Sequence, residues 1–100
     1  MIELKDITEF DKYINEDKVL IDFYADWCGP CRMLGIVLEE YQNEHQDIKI
    51  VRINTDKYQG LARKYKVLSI PALKIFENGK IIKEKTGLMT KEELEEFMGD

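Results

Sequence analysis

Two cysteines, Cys28 and Cys31, are the only thiols in this 100-residue chain, and only Gly29 and Pro30 separate them. A bridge across so short a span constrains little of the unfolded chain, so fold stability is a poor reason for the pair. Two chemistries suit thiols this close: reversible dithiol–disulfide exchange, or a share of a metal site. A tetrahedral zinc site wants four nitrogen or sulfur ligands. The chain adds a single histidine, His45, far along the sequence, so zinc would require dimerisation or carboxylates. The N-terminal stretch MIELKDITEF is charged within three residues and shows no apolar signal core, and no apolar run approaches the length of a membrane span. The expected setting is a reducing cytosol, where a close cysteine pair is catalytic or metal-binding rather than structural.

The flanking residues predict where the pair sits. Val19 to Tyr24 (VLIDFY) is a short apolar run, as expected of a strand covered on both faces. After the cysteines, Leu34, Val37, Leu38 and Tyr41 recur at helical spacing, which predicts an amphipathic helix from near Cys31 to near Glu44. The pair therefore falls at a strand–helix junction. On a first helical turn the i, i+3 spacing puts both sulfurs on one side, within reach of a disulfide. The unpaired N–H groups and the positive end of the helix dipole favour a thiolate at Cys28. Pro30 suits the first turn, where its missing N–H costs nothing. Lowering a thiol pKa by about 1.5 units from about 8.5 raises the thiolate fraction at pH 7 about 16-fold. Intrinsic nucleophilicity falls about 5-fold over the same shift, leaving only about 3-fold. The larger benefit must come from holding Cys31 beside the mixed disulfide, as a raised effective concentration.

The rest of the chain supplies the scaffold. Ile2 to Leu4 reads as a short strand. Asp6 with Glu9 reads as a capping box before Ile7, Phe10 and Ile14 at helical spacing. Ile48 to Ile53 (IKIVRI) is a β-branched strand, and Tyr58, Leu61, Ala62 and Tyr65 predict a short helix weakened by Gly60. Asn78-Gly79 between Ala72–Phe76 and Lys80–Thr86 is a strong hairpin signal. Thr90 with Glu93 caps a last helix whose apolar stripe is Leu94, Phe97 and Met98. The predicted order, βαβαβα then ββα, implies an α/β fold. It is a three-layer α/β/α sandwich with a mixed five-stranded sheet and four helices, in a single domain over residues 1–100. The charge balance of 15 basic against 20 acidic residues gives a net −5, which argues against nucleic acid or an anionic membrane as the main partner. His45 reads as a polar residue at a helix end, and Glu92, Glu93, Glu95 and Glu96 as a solvated helix face.

The run Ile21-Asp22-Phe23-Tyr24-Ala25-Asp26-Trp27-Cys28-Gly29-Pro30-Cys31-Arg32-Met33, with Ser69-Ile70-Pro71 and Asn78-Gly79 downstream, resembles the thioredoxin family over essentially the whole chain. That resemblance implies a protein-disulfide reductase of the thioredoxin fold, cytoplasmic and monomeric, with no bound cofactor and no metal. Its partners would be disulfide-containing protein substrates and a thioredoxin reductase. Cys28 would be the attacking thiolate and Cys31 the resolving thiol. Asp22, desolvated in an apolar strand, would take the Cys31 proton. Pro71 would be the family's cis-proline, and Ile70 would offer main-chain groups to an extended substrate. Trp27, Gly29, Pro30, Ile70, Pro71 and Gly87 would form a flat, mostly apolar docking surface.

Four positions depart from the family pattern. Gly35-Ile36 replaces a helix proline, so any bend would depend on Gly35. Tyr24 stands where a second tryptophan is common, and Ala72 where threonine is common. Arg52 stands in place of a lysine, and an arginine does not give up its proton. Pairing with Arg52 would lower the Asp22 pKa and oppose desolvation. Two other readings stay open at this point: a non-catalytic interaction subunit built on the same fold, and a metal-binding module.

Overall fold

β-Branched and aromatic residues concentrate in five short runs, and these form one mixed sheet in the computed structural model, which describes residues 1–99. The elements in chain order are β1 (Ile2–Glu3), a 3-10 turn (Ile7–Glu9) leading into α1 (Phe10–Ile14), β2 (Val19–Tyr24), α2 (Gly29–Glu44), β3 (Lys49–Asn54), α3 (Gln59–Lys64), β4 (Ala72–Glu77), β5 (Lys80–Thr86) and α4 (Lys91–Met98). The strand order is β1-β3-β2-β4-β5. β1, β3 and β2 are parallel, as their helical crossovers require, and the hairpin adds β4 and β5 antiparallel.

β2 is central and wholly buried, which explains its nearly continuous apolar run. Its alternate residues face two separate cores. Val19, Ile21 and Phe23 join Val51, Ile53 and Phe76 under Phe10 and Ile14 of α1 and Leu61 of α3. Phe10, Tyr65 and Phe76 cross there edge-on or tilted, with ring centroids 5.4–6.2 Å apart. Leu20, Ile50, Leu73 and Ile75 pack on the other side against Leu34, Leu38 and Tyr41 of α2 and Leu94 and Met98 of α4. The predicted sandwich is therefore the observed one.

Element ends differ from expectation in two informative places. α2 begins at Gly29, two residues early, so that Cys28 itself becomes the N-cap. Asp6 caps Thr8 rather than Glu9, with Oδ1 accepting from the Thr8 N–H at 2.9 Å, because the chain first forms a 3-10 turn. The Thr90–Glu93 capping box forms in both directions. The Asn78-Gly79 turn has positive φ at both residues, 52° and 85°, the mirror-image geometry that suits a hairpin. Its two N–H groups donate to Glu16 and Ile14 carbonyls at 3.0 and 2.8 Å, docking the turn on the end of α1.

Candidate active site

The site forms where β2 ends and α2 begins. Cys28 leaves the strand with extended φ and ψ, and its Sγ accepts from the N–H of Cys31 at 3.2 Å. A sulfur thus takes the place of the usual oxygen cap and faces the unpaired donors of the first turn. Pro30 sits inside that turn without loss of a hydrogen bond. Cys28 and Cys31 are joined as a disulfide with Cα atoms 5.2 Å apart. Cys28 keeps 5% exposure and Cys31 none, so the two sulfurs are not equivalent. They pack with Tyr24, Ala25 and half-buried Ile70 in a small cluster of their own.

The surrounding loops are tied down. Arg32 donates to the Asp26 carbonyl at 2.8 Å, which braces the segment before the cysteines. Trp27 is 70% exposed, and its Nε1 donates to Asp56 at 2.9 Å. Asp56 is set by Asn54, whose side-chain oxygen accepts from the Asp56 and Lys57 N–H groups. This partner lies 29 residues from Trp27, and no local pattern pointed to it. The Ile70–Pro71 peptide bond is cis, as the family resemblance implied. Gly87, at φ 95°, donates to the Pro71 carbonyl at 2.8 Å and anchors that loop. Ile70 makes no backbone hydrogen bond of its own among the described residues. A shallow pocket of about 210 Å³ beside it is lined by Trp27, Thr55, Ala62, Val67, Leu68, Ser69 and Ile70. Of the expected docking residues, Trp27 and Pro30 are exposed, Gly29, Ile70 and Gly87 half-buried, and Pro71 buried.

Asp22 lies fully buried on β2, on the face covered by α2. One oxygen, Oδ2, accepts from Arg52 Nε at 3.0 Å, while Oδ1 has no hydrogen-bond partner among the described residues. Burial raises its pKa from 3.8 to about 6, outweighing the opposing charge and hydrogen bond of Arg52. Arg52 does pair with Asp22, but desolvation wins. Gly35 lies against Arg52: a Cβ there would be in ordinary contact, 3.5 Å from the guanidinium. Gly35 follows Cys31 by one helical turn, so both look toward the same part of the sheet. Among the described residues, no group of three or more His, Cys, Asp or Glu is placed to hold a metal ion.

A mixed sheet sandwiched by helices, with a two-cysteine disulfide capping the first turn of a helix, defines a thiol–disulfide oxidoreductase. A family model described as thioredoxin matches residues 2–100. The chain is 43% identical to a thioredoxin of Bacillus subtilis over 90 residues, covering 89% of this chain and 86% of that one. It is 41% identical to a thioredoxin of Buchnera aphidicola over 92 residues, covering 89% and 84%. A solved mutant thioredoxin from Halobacterium salinarum superposes with a TM-score of 0.85 at 38% identity, covering 96% of this chain and 88% of that one. The chain belongs to the thioredoxin family, and its Cys28–Cys31 pair is a redox-active disulfide.

Proposed function

We propose that the chain reduces protein disulfides with Cys28 as the attacking sulfur, Cys31 as the resolving sulfur and Asp22 as the acceptor of the Cys31 proton. The carrying observation is the asymmetry of the pair: Cys28 caps α2 at the rim, whereas Cys31 is fully buried. The Cys28 thiolate attacks one sulfur of the substrate disulfide and expels the other, which takes up a proton. Cys31 then passes its proton to Asp22 and attacks Cys28 Sγ. The Cys28–Cys31 disulfide forms, and the second substrate sulfur leaves and is protonated in turn. Two electrons have moved from the dithiol to the substrate.

Substrate docks as an extended segment against Trp27, Gly29, Pro30 and Gly87, with the free N–H and C=O of Ile70 pairing to its backbone beside Pro71. A thioredoxin reductase returns the pair to the dithiol, and the protein works as a cytoplasmic monomer. Bacterial thioredoxin relatives support that placement.

Cys31→Ser is the test. It should hold substrates as stable mixed disulfides on Cys28, while Cys28→Ser traps none. Trapping by Cys28→Ser and not by Cys31→Ser would reverse the roles. Full biological function in the double serine variant would instead favour an interaction subunit.

A further inference from the structure

Arg52 stands between two carboxylates. The parallel register places Glu3 of β1 on one side of it and Asp22 of β2 on the other. The guanidinium bonds Asp22, and Tyr24 keeps Glu3 occupied: its hydroxyl donates to Glu3 Oε2 at 2.5 Å. The Tyr24 ring also lies under the guanidinium, 4.0 Å from its central carbon. Such a stack attracts the cation to the ring face and holds the planar group flat. Gly35 of α2 faces the same guanidinium. Four side chains from three strands thus form one polar seam under the helix that carries Cys31.

We propose that Tyr24 is a positioning residue for thiol–disulfide exchange: its hydroxyl removes Glu3 from competition and its ring seats Arg52, so that the guanidinium is committed to one oxygen of Asp22 and the other stays unbonded. The consequence for rate rests on Asp22 being the proton acceptor for Cys31. Tyrosine has two features that this geometry needs, a face for the cation and a donor for the rival carboxylate. The charged groups acting on Asp22 are Arg52 from β3 and Glu3 from β1. β4 presents apolar Leu73 in register with it, and α2 presents Gly35 and Cys31.

The test is titration of the Asp22 carboxyl by carbon NMR in the oxidised protein. Tyr24→Phe keeps the ring and frees Glu3 to draw Arg52 away. The Asp22 midpoint should rise by about half a pH unit, roughly threefold in proton affinity. Adding Glu3→Gln to that variant should restore the midpoint, because the rival charge is gone. An unchanged midpoint in Tyr24→Phe overturns the proposal, and so does a raised midpoint that Glu3→Gln fails to restore. Resolution of the mixed disulfide on Cys28 is followed against pH in parallel. A profile that moves with the NMR midpoint supports both readings. If Asp22→Asn resolves at the wild-type rate while the NMR shifts persist, the proton role falls and the clamp stands.

Discussion

Alternate residues of one strand look into two different interiors. On the α1–α3 side of β2, Val19, Ile21 and Phe23 meet only apolar and aromatic neighbours, apart from Lys74 at the β4–β5 edge. On the α2–α4 side, Leu20 is followed by Asp22 and Tyr24, and the apolar core gives way to a carboxylate, a guanidinium and then the cysteine pair. The first side holds the sheet together. The second gives up stability by burying a titratable group, Asp22, in the sheet. Burial of an apolar ring stabilises at every pH, whereas burial of a carboxyl costs more once it ionises.

Four substitutions test that contrast. Phe23→Ala should cost about 3–5 kcal/mol in denaturant unfolding, equally at pH 5 and pH 8, since it leaves a cavity in a closed apolar layer. A pH-dependent loss would show that the two sides are not separate. Asp22→Asn should act in the opposite direction. The folded pKa of about 6 lies above the ordinary 3.8, so the contribution is fully present below about pH 4 and lost as pH rises through 6. Two pKa units correspond to about 3 kcal/mol. The asparagine variant should therefore be more stable than wild type by about 2–3 kcal/mol at pH 8, with the gap closing by pH 4. Equal stability at pH 8 would mean that Arg52 fully compensates the buried charge.

Two smaller effects sharpen the picture. Thr90→Ala removes a two-way cap from α4 and should cost about 1 kcal/mol, without moving the Asp22 titration. Movement of that titration would link the cap to the polar seam. Lys74→Met replaces a buried ammonium whose partner Glu84 is itself exposed. Its effect should stay within about 1 kcal/mol, because a half-solvated pair contributes little. A larger loss would make the α1–α3 side dependent on charge as well.

What the sequence disclosed follows from range. β2 announced itself as an apolar run, the hairpin by Asn78-Gly79 and α4 by Thr90 and Glu93, because each signal lies within a few residues. The cysteines and Asp22 were legible for the same reason. The first residue of α2 was missed because the apolar periodicity begins only at Leu34 and Gly29 is a poor helix former in isolation; the Cys28 cap places it in the helix. Gly35 read as a site for bending, yet α2 runs unbroken through it, and it faces a guanidinium from β3. Glu3 with Tyr24 and Trp27 with Asp56 were not legible at all. Those partners are 21 and 29 residues apart, and only the sheet register and the Asn54 turn bring them together.

The docked hairpin has a practical corollary for anyone engineering this chain. The tip at Asn78 and Gly79 looks like a natural place to insert a peptide tag, being short, polar and remote from the cysteines. It is a riveted joint instead. An insertion there would break the turn's two hydrogen bonds to Glu16 and Ile14, and a side chain in place of Gly79 would strike Asn15, whose amide oxygen lies 2.7 Å from where a Cβ would stand.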